Sequence, residues 1–120
     1  MKKETRASVA YIALRLATGL KKSSVYDYSE GEYITIDGKV SVDNVDVYDY
    51  EIGCHVSGRS RNGQFDLYHY GNGNSIELKM KDNKFEGYDY DVSNHFSGTV
   101  SGKSLSLYDY EHSKYYDYSF

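Results

Sequence analysis

Hydrophobic positions along this chain follow two different periods. In the first twenty residues Val9, Ile12, Ala13, Leu16 and Leu20 recur at helical spacing, with Thr18, Lys21 and Lys22 off that stripe and Gly19 set to stop the helix. Thr5 is an available but weak N-cap. The spacing predicts an amphipathic helix over residues 4–22, and a helix with one apolar stripe needs a surface to lie on. The β body is the only candidate surface within the chain, and the alternative for a basic amphipathic helix is a membrane or a partner protein. In that remainder the period drops to two: Ile76, Leu78 and Met80 alternate with Glu77, Lys79 and Lys81, as on a strand buried on one side. Ile36-Asp37-Gly38-Lys39 and Arg61-Asn62-Gly63-Gln64 read as tight hairpin turns, as does Gly71-Asn72-Gly73-Asn74, and Lys81-Asp82-Asn83-Lys84 offers a further reversal.

The strands belong to a repeat. Tyr26-Asp27-Tyr28, Tyr48-Asp49-Tyr50, Tyr68-His69-Tyr70, Tyr88-Asp89-Tyr90 and Tyr108-Asp109-Tyr110 recur every 20 to 22 residues, and Tyr116-Asp117-Tyr118 follows near the end. Alternate units are closer kin, because His55-Val56-Ser57-Gly58 and His95-Phe96-Ser97-Gly98 stand at the same distance after their motifs. A period of about 40 residues, duplicated once with a partial third copy, describes this. Each shorter unit holds two strands. The expectation is an all-β body over residues 25–120, with units starting near 26, 48, 68, 88 and 108. Its eight to ten antiparallel strands would form a meander that closes into a barrel or curves strongly. The alternative, a β-solenoid with 20-residue coils, would stack Asp27, Asp49, Asp89 and Asp109 into a ladder of like charges.

Composition narrows this picture. A length of 120 residues suits one domain, and 15 tyrosines without a tryptophan make tyrosine a main source of buried area. The lone Cys54 excludes an internal disulfide and suits a reducing compartment, so the cytoplasm is favoured. The N-terminal stretch has the basic start and apolar middle of a signal peptide, but Arg15 interrupts it, and it is too short to span a bilayer. It is read as a helix retained in the folded protein. Residues 1–22 carry a net charge of +5 and the rest −9, so the basic helix complements its own body and nucleic acid is an improbable partner.

Candidate chemistry is sparse. His55, His69, His95 and His112 are scattered, and Cys54 and His55 point to opposite faces of one strand, which is poor ligand spacing. Ser57 shares a side with His55, and Ser97 with His95, without an assignable third group. No catalytic residue, metal ligand or cofactor is assigned.

The tyrosine motif poses the sharper question. It is preceded by apolar, polar, apolar residues, as in Val45-Asp46-Val47, so the parity of the pattern changes in mid-strand. The favoured reading is a bulge that turns the tyrosines inward and the Asp to solvent. The other is an unbroken strand with Asp inside and an outward aromatic stripe of Tyr48, Tyr50, Tyr68, Tyr70, Tyr88, Tyr90, Tyr108 and Tyr110. That stripe is the candidate binding surface. The functional expectation is a non-catalytic binding or interaction module for a carbohydrate or a protein. Alternatives are a self-assembling homo-oligomer joined through edge strands, the last strand being uncovered, or a barrel enzyme or carrier with an interior pocket.

Overall fold

The computed structural model describes residues 1–120. One helix, α1 (Lys3–Thr18), is followed by β1 (Ser24–Asp27), β2 (Glu32–Val40), β3 (Asn44–Asp49), β4 (Cys54–Arg61) and β5 (Gln64–His69). The chain continues through β6 (Asn74–Lys81), β7 (Lys84–Asp89), β8 (Asn94–Ser101), β9 (Ser104–Asp109) and β10 (Lys114–Ser119). Each strand pairs antiparallel with the next, and β10 returns to β1, closing a ten-stranded barrel. The solenoid alternative is thereby excluded. Closure is staggered: Asp27, at the end of β1, pairs with Tyr118, far along β10 from its start at Lys114. Such a stagger accompanies strand tilt, and ten strands tilted by about 40° enclose a radius of roughly 10 Å.

That radius holds a helix. Residues 5–15 of α1 are all buried, and the run Ala7–Leu14 has no exposed surface on any face. The helix contacts β1 and β2 as well as β6, β8, β9 and β10, strands from opposite sides of the barrel. It therefore packs on the β body as expected, but from within, filling the lumen. The amphipathic reading fails because Ala7, Ser8, Ala10, Tyr11 and Leu14 complete the circle that Val9, Ile12 and Ala13 begin. A helix apolar all round is a buried helix. Its two arginines are also inside: the Arg6 guanidinium lies 3.8 Å over the Tyr116 ring and donates to the Met1 carbonyl at 2.6 Å. Arg15 donates to the Tyr11 hydroxyl at 2.5 Å and to the Gly38 carbonyl at 3.2 Å. Gly19 stops the helix as expected, at φ +70° with its N–H on the Arg15 carbonyl, so α1 ends at Thr18 rather than 22. Thr5 is not its cap. It lies inside α1, where its hydroxyl accepts from Asn72 Nδ2 at 2.9 Å.

Along the strands most inward positions are apolar and form one core with the helix, including Val25, Ile36, Val47, Val56, Leu67, Leu78, Phe96 and Leu107. The outward positions are polar or tyrosine, the reverse of a lipid-facing barrel. No helix is long and apolar enough to cross a membrane.

Turns follow the Asn-Gly and Asp-Asn signals at 62–63 and 82–83, where Asn62 and Asp82 take φ near +55°. The expected turn at Asp37-Gly38 does not form. Strand β2 runs through it, Gly38 pairs with Val47, and the reversal falls at 41–43. A Cβ at Gly38 would overlap the Asp46 carbonyl oxygen, so this glycine serves close backbone approach in a bent strand.

Candidate functional site

The five odd-numbered strands end alike. No bulge interrupts β3: Val47, Tyr48 and Asp49 pair in sequence with Val56, His55 and Cys54. The favoured bulge reading is therefore wrong, and period-two geometry carries the Asp inward and both tyrosines outward. Asp27, Asp49, His69, Asp89 and Asp109 are all buried. In β10 the parity is reversed, so Tyr116 and Tyr118 are buried and Asp117 is exposed. The terminal copy of the tripeptide is not a sixth unit.

Each inward carboxylate ties down the turn that follows it. Asp27 Oδ1 accepts from the amides of Ser29 at 3.0 Å and Glu30 at 3.2 Å, and Asp49 Oδ1 from those of Glu51 at 2.9 Å and Ile52 at 3.4 Å. Asp89 and Asp109 accept from Asp91 and Glu111. These are Asx turns built from inside the barrel. His69 substitutes with its Nδ1, which receives the Asn72 amide at 3.3 Å. Burial pushes the His69 imidazole down, and neutrality is the state in which Nδ1 can accept. Burial likewise pushes the carboxyls of Asp49 and Asp89 up.

This ring sits around the N-terminal end of α1, where the helix dipole and its cations favour negative charge. Lys3 Nζ lies 2.6 Å from Glu32 and 3.4 Å from Glu51, and Lys2 Nζ 3.2 Å from Asp91. The basic helix does complement its acidic body, from within. Asp109, Glu111 and His112 bring three ligand atoms within 4.8 Å of one another. The Met1 amino group already pairs with Asp109 at 3.0 Å and with Glu111, and His112 Nδ1 stands 2.8 Å from the same Asp109 oxygen. Burial raises the Asp109 carboxyl, but these two partners outweigh it and the net shift is downward. A cation could use this cluster only by displacing the amine. Cys54 is buried, its thiol pushed up by burial, while His55 is exposed, so the pair points to opposite faces as expected.

Outside, the tyrosines of each unit form an edge-on pair with ring centroids 4.8 Å apart: Tyr26 with Tyr28, Tyr48 with Tyr50, Tyr68 with Tyr70, Tyr88 with Tyr90, and Tyr108 with Tyr110. The residue seven places after the first tyrosine adds a third ring across the strand pair, Tyr33, His55, His95 or Tyr115, at 4.7 to 4.8 Å. Only the unit with Ser75 lacks it. The second tyrosine leans over the preceding even strand, its amide bonded there: Tyr50 to Thr35, Tyr70 to His55, Tyr90 to Ser75, Tyr110 to His95 and Tyr28 to Asp117.

Grooves result between units. Over β8, Tyr88 and Tyr110 flank a groove of about 680 Å³ whose polar lining includes Glu86, Asn94, His95 and Ser97. Over β6 the equivalent residues Tyr68, Tyr90, Asp66, Asn74, Ser75 and Glu77 line one of about 380 Å³. Over β10, Tyr28, Ser106 and Asp117 recur in a third of about 360 Å³. Floor and wall are joined: Tyr90 donates to Glu77 at 2.6 Å, and the Tyr110 and Ser97 hydroxyls lie 3.4 Å apart. The tyrosines were legible in the sequence, but the floor was missed, although Asp46, Asp66 and Glu86 stand two residues before the first tyrosine and Ser57, Glu77 and Ser97 nine after it.

No family model matches the chain, and no curated protein or solved structure does either.

Proposed function

We propose that the chain is a non-catalytic carbohydrate-binding module that receives neutral glycans in the outer grooves between successive tyrosine pairs. The observation that carries this reading is the recurrence of one construction over β6 and β8, with two tyrosine rings as walls and carboxylate, amide or hydroxyl side chains beneath, and of part of it over β10, where Tyr28 is the one outer tyrosine. A sugar ring has apolar C–H faces and a rim of hydroxyls. Tyrosine offers an apolar body with a wet tip, and carboxylates and amides accept or exchange hydrogen bonds with hydroxyls. Open grooves with a few placed polar groups suit such a ligand. Four carboxylates, Glu86, Asp66, Glu77 and Asp117, line the grooves against one cation, Lys79, a balance that disfavours phosphate and makes nucleic acid a poor fit.

The other expectations lose the feature on which each relied. Edge-strand assembly needs an open edge, and β10 is paired on both sides. An interior pocket needs an empty lumen, and α1 occupies it.

Affinity electrophoresis through gels containing a soluble β-glucan, a xylan or a mannan tests the reading. Retardation by one of them, weakened in the Tyr88→Ala, Tyr110→Ala double variant, is the expected result. Unchanged mobility in all three gels would sink it.

A further inference from the structure

From the repetition of the groove we infer that a single chain is multivalent and cross-links separate glycan chains. This rests on the carbohydrate reading above but asks more of the molecule. The β6 and β8 grooves share six equivalent positions: Asp66 with Glu86, Tyr68 with Tyr88, Asn74 with Asn94, Ser75 with His95, Glu77 with Ser97, and Tyr90 with Tyr110, and the β8 groove adds Gln64 and Lys79. The β10 groove keeps three of these positions, Ser106, Asp117 and Tyr28, without the first tyrosine as a wall, and crosses the seam where the barrel closes.

Direction matters as much as number. Successive grooves lie two strands apart in a closed ring of ten, so each faces outward about a fifth of a turn from the last. The walls belong to one continuous sheet, which fixes these directions. A flat array of sugars can meet only one or two grooves at once, whereas separate polymer chains can each take one. The barrel is then a cross-linker that needs no second copy, each groove holding its own polymer chain. Each groove alone is shallow and open, which suits weak, rapidly exchanging contacts.

The test uses the full chain with labelled tyrosine rings and three probes, cellohexaose, xylohexaose and mannohexaose, titrated to millimolar excess while ring signals are followed by NMR. Sedimentation velocity on the free protein fixes the number of chains per particle. With at least one probe, signals from Tyr68, Tyr90, Tyr88, Tyr110 and Tyr28 shift together, and a single-chain particle takes up more than two oligosaccharides. Mixed with the matching polysaccharide, the protein gives light scattering that rises and falls with protein ratio, as cross-linking requires. The Tyr88→Ala, Tyr110→Ala variant loses one site and keeps the β6 groove, while Tyr90→Ala weakens the β6 groove and spares β8. Thermal unfolding of each variant separates lost sites from lost fold.

Saturation at one oligosaccharide per chain with shifts confined to one groove overturns multivalency and leaves the carbohydrate reading standing. Scattering that arises only from dimers, each chain holding one sugar, overturns it as well. No shift with any probe overturns both.

Discussion

Tyr48-Asp49-Tyr50 and Tyr116-Asp117-Tyr118 are the same three letters on one barrel, and they face opposite ways. In β3 the Asp is buried and capping a turn, while Tyr50 is 62 % exposed; in β10 Tyr118 is fully buried and Asp117 faces the solvent. The tripeptide has no fixed role. Its strand neighbours decide: Val45 and Val47 must face the core, and alternation then carries Asp49 with them, whereas in β10 no apolar residue precedes Tyr116 to claim the inward side. Tyr116 and Tyr118 become the core there, the first beneath the Arg6 guanidinium.

The comparison can be broken most sharply through the tyrosines. Tyr118→Ala, which empties a fully buried site, is expected to cost about 3–5 kcal/mol in urea denaturation, large against the stability of a small domain. A loss no greater than that of Tyr50→Ala would mean that β10 does not face inward. The acids come next. Asp89→Ala leaves the Asp91 amide without its cap and should cost about 1–3 kcal/mol, whereas Asp117→Ala should stay within about 0.5 kcal/mol of the parent.

Asp89→Asn sharpens the point by keeping the acceptor and removing the charge. Burial raises the Asp89 carboxyl in the folded state, so its contribution is present below the unfolded pKa and lost as pH rises through the folded one. The Asn variant should therefore remove a fall in stability between the unfolded and the folded pKa, measured by denaturation at a series of pH values. A steeper fall would reverse the assignment. His69→Asn tests the unit in which imidazole replaces carboxylate. Because burial lowers its pKa, native His69 withdraws stability as pH falls below about 6.5. The Asn variant should lose less stability between pH 7.5 and the acid side than the parent does, and equal losses would exclude a buried neutral imidazole. The smallest effect belongs to the outer face: Tyr50→Ala should cost less than about 1 kcal/mol, the scale of a cross-strand pair, in the same urea experiment.

Much of this architecture could be read from residue order. Alternation marked the strands because a sheet with one wet face must alternate, and Asn62-Gly63 marked a hairpin because few residues accept a positive φ. The recurrence of Tyr-Asp-Tyr marked the units and named the outward tyrosines as a candidate surface. Asp37-Gly38 misled, since the same permissive glycine also serves where a bent strand brings another backbone close. The helix misled more. The uncharged run Ala7–Leu14 carried the signal of burial on every side, but a search for one stripe finds one stripe, because any all-round apolar helix contains it.

By itself, then, the sequence determined the local facts: two periods, a repeat of two-strand units, most of the turn chemistry, and a charge split between helix and body. Closure belongs to the tertiary structure, because the pairing of Asp27 with Tyr118 depends on the stagger summed over ten strands, to which no single segment commits. Closure in turn fixed the rest. A ring about 10 Å in radius leaves room for a helix with its side chains, so α1 went inside, the carboxylates met its N-terminal end, and the tyrosines of successive units were brought to opposite sides of shared grooves.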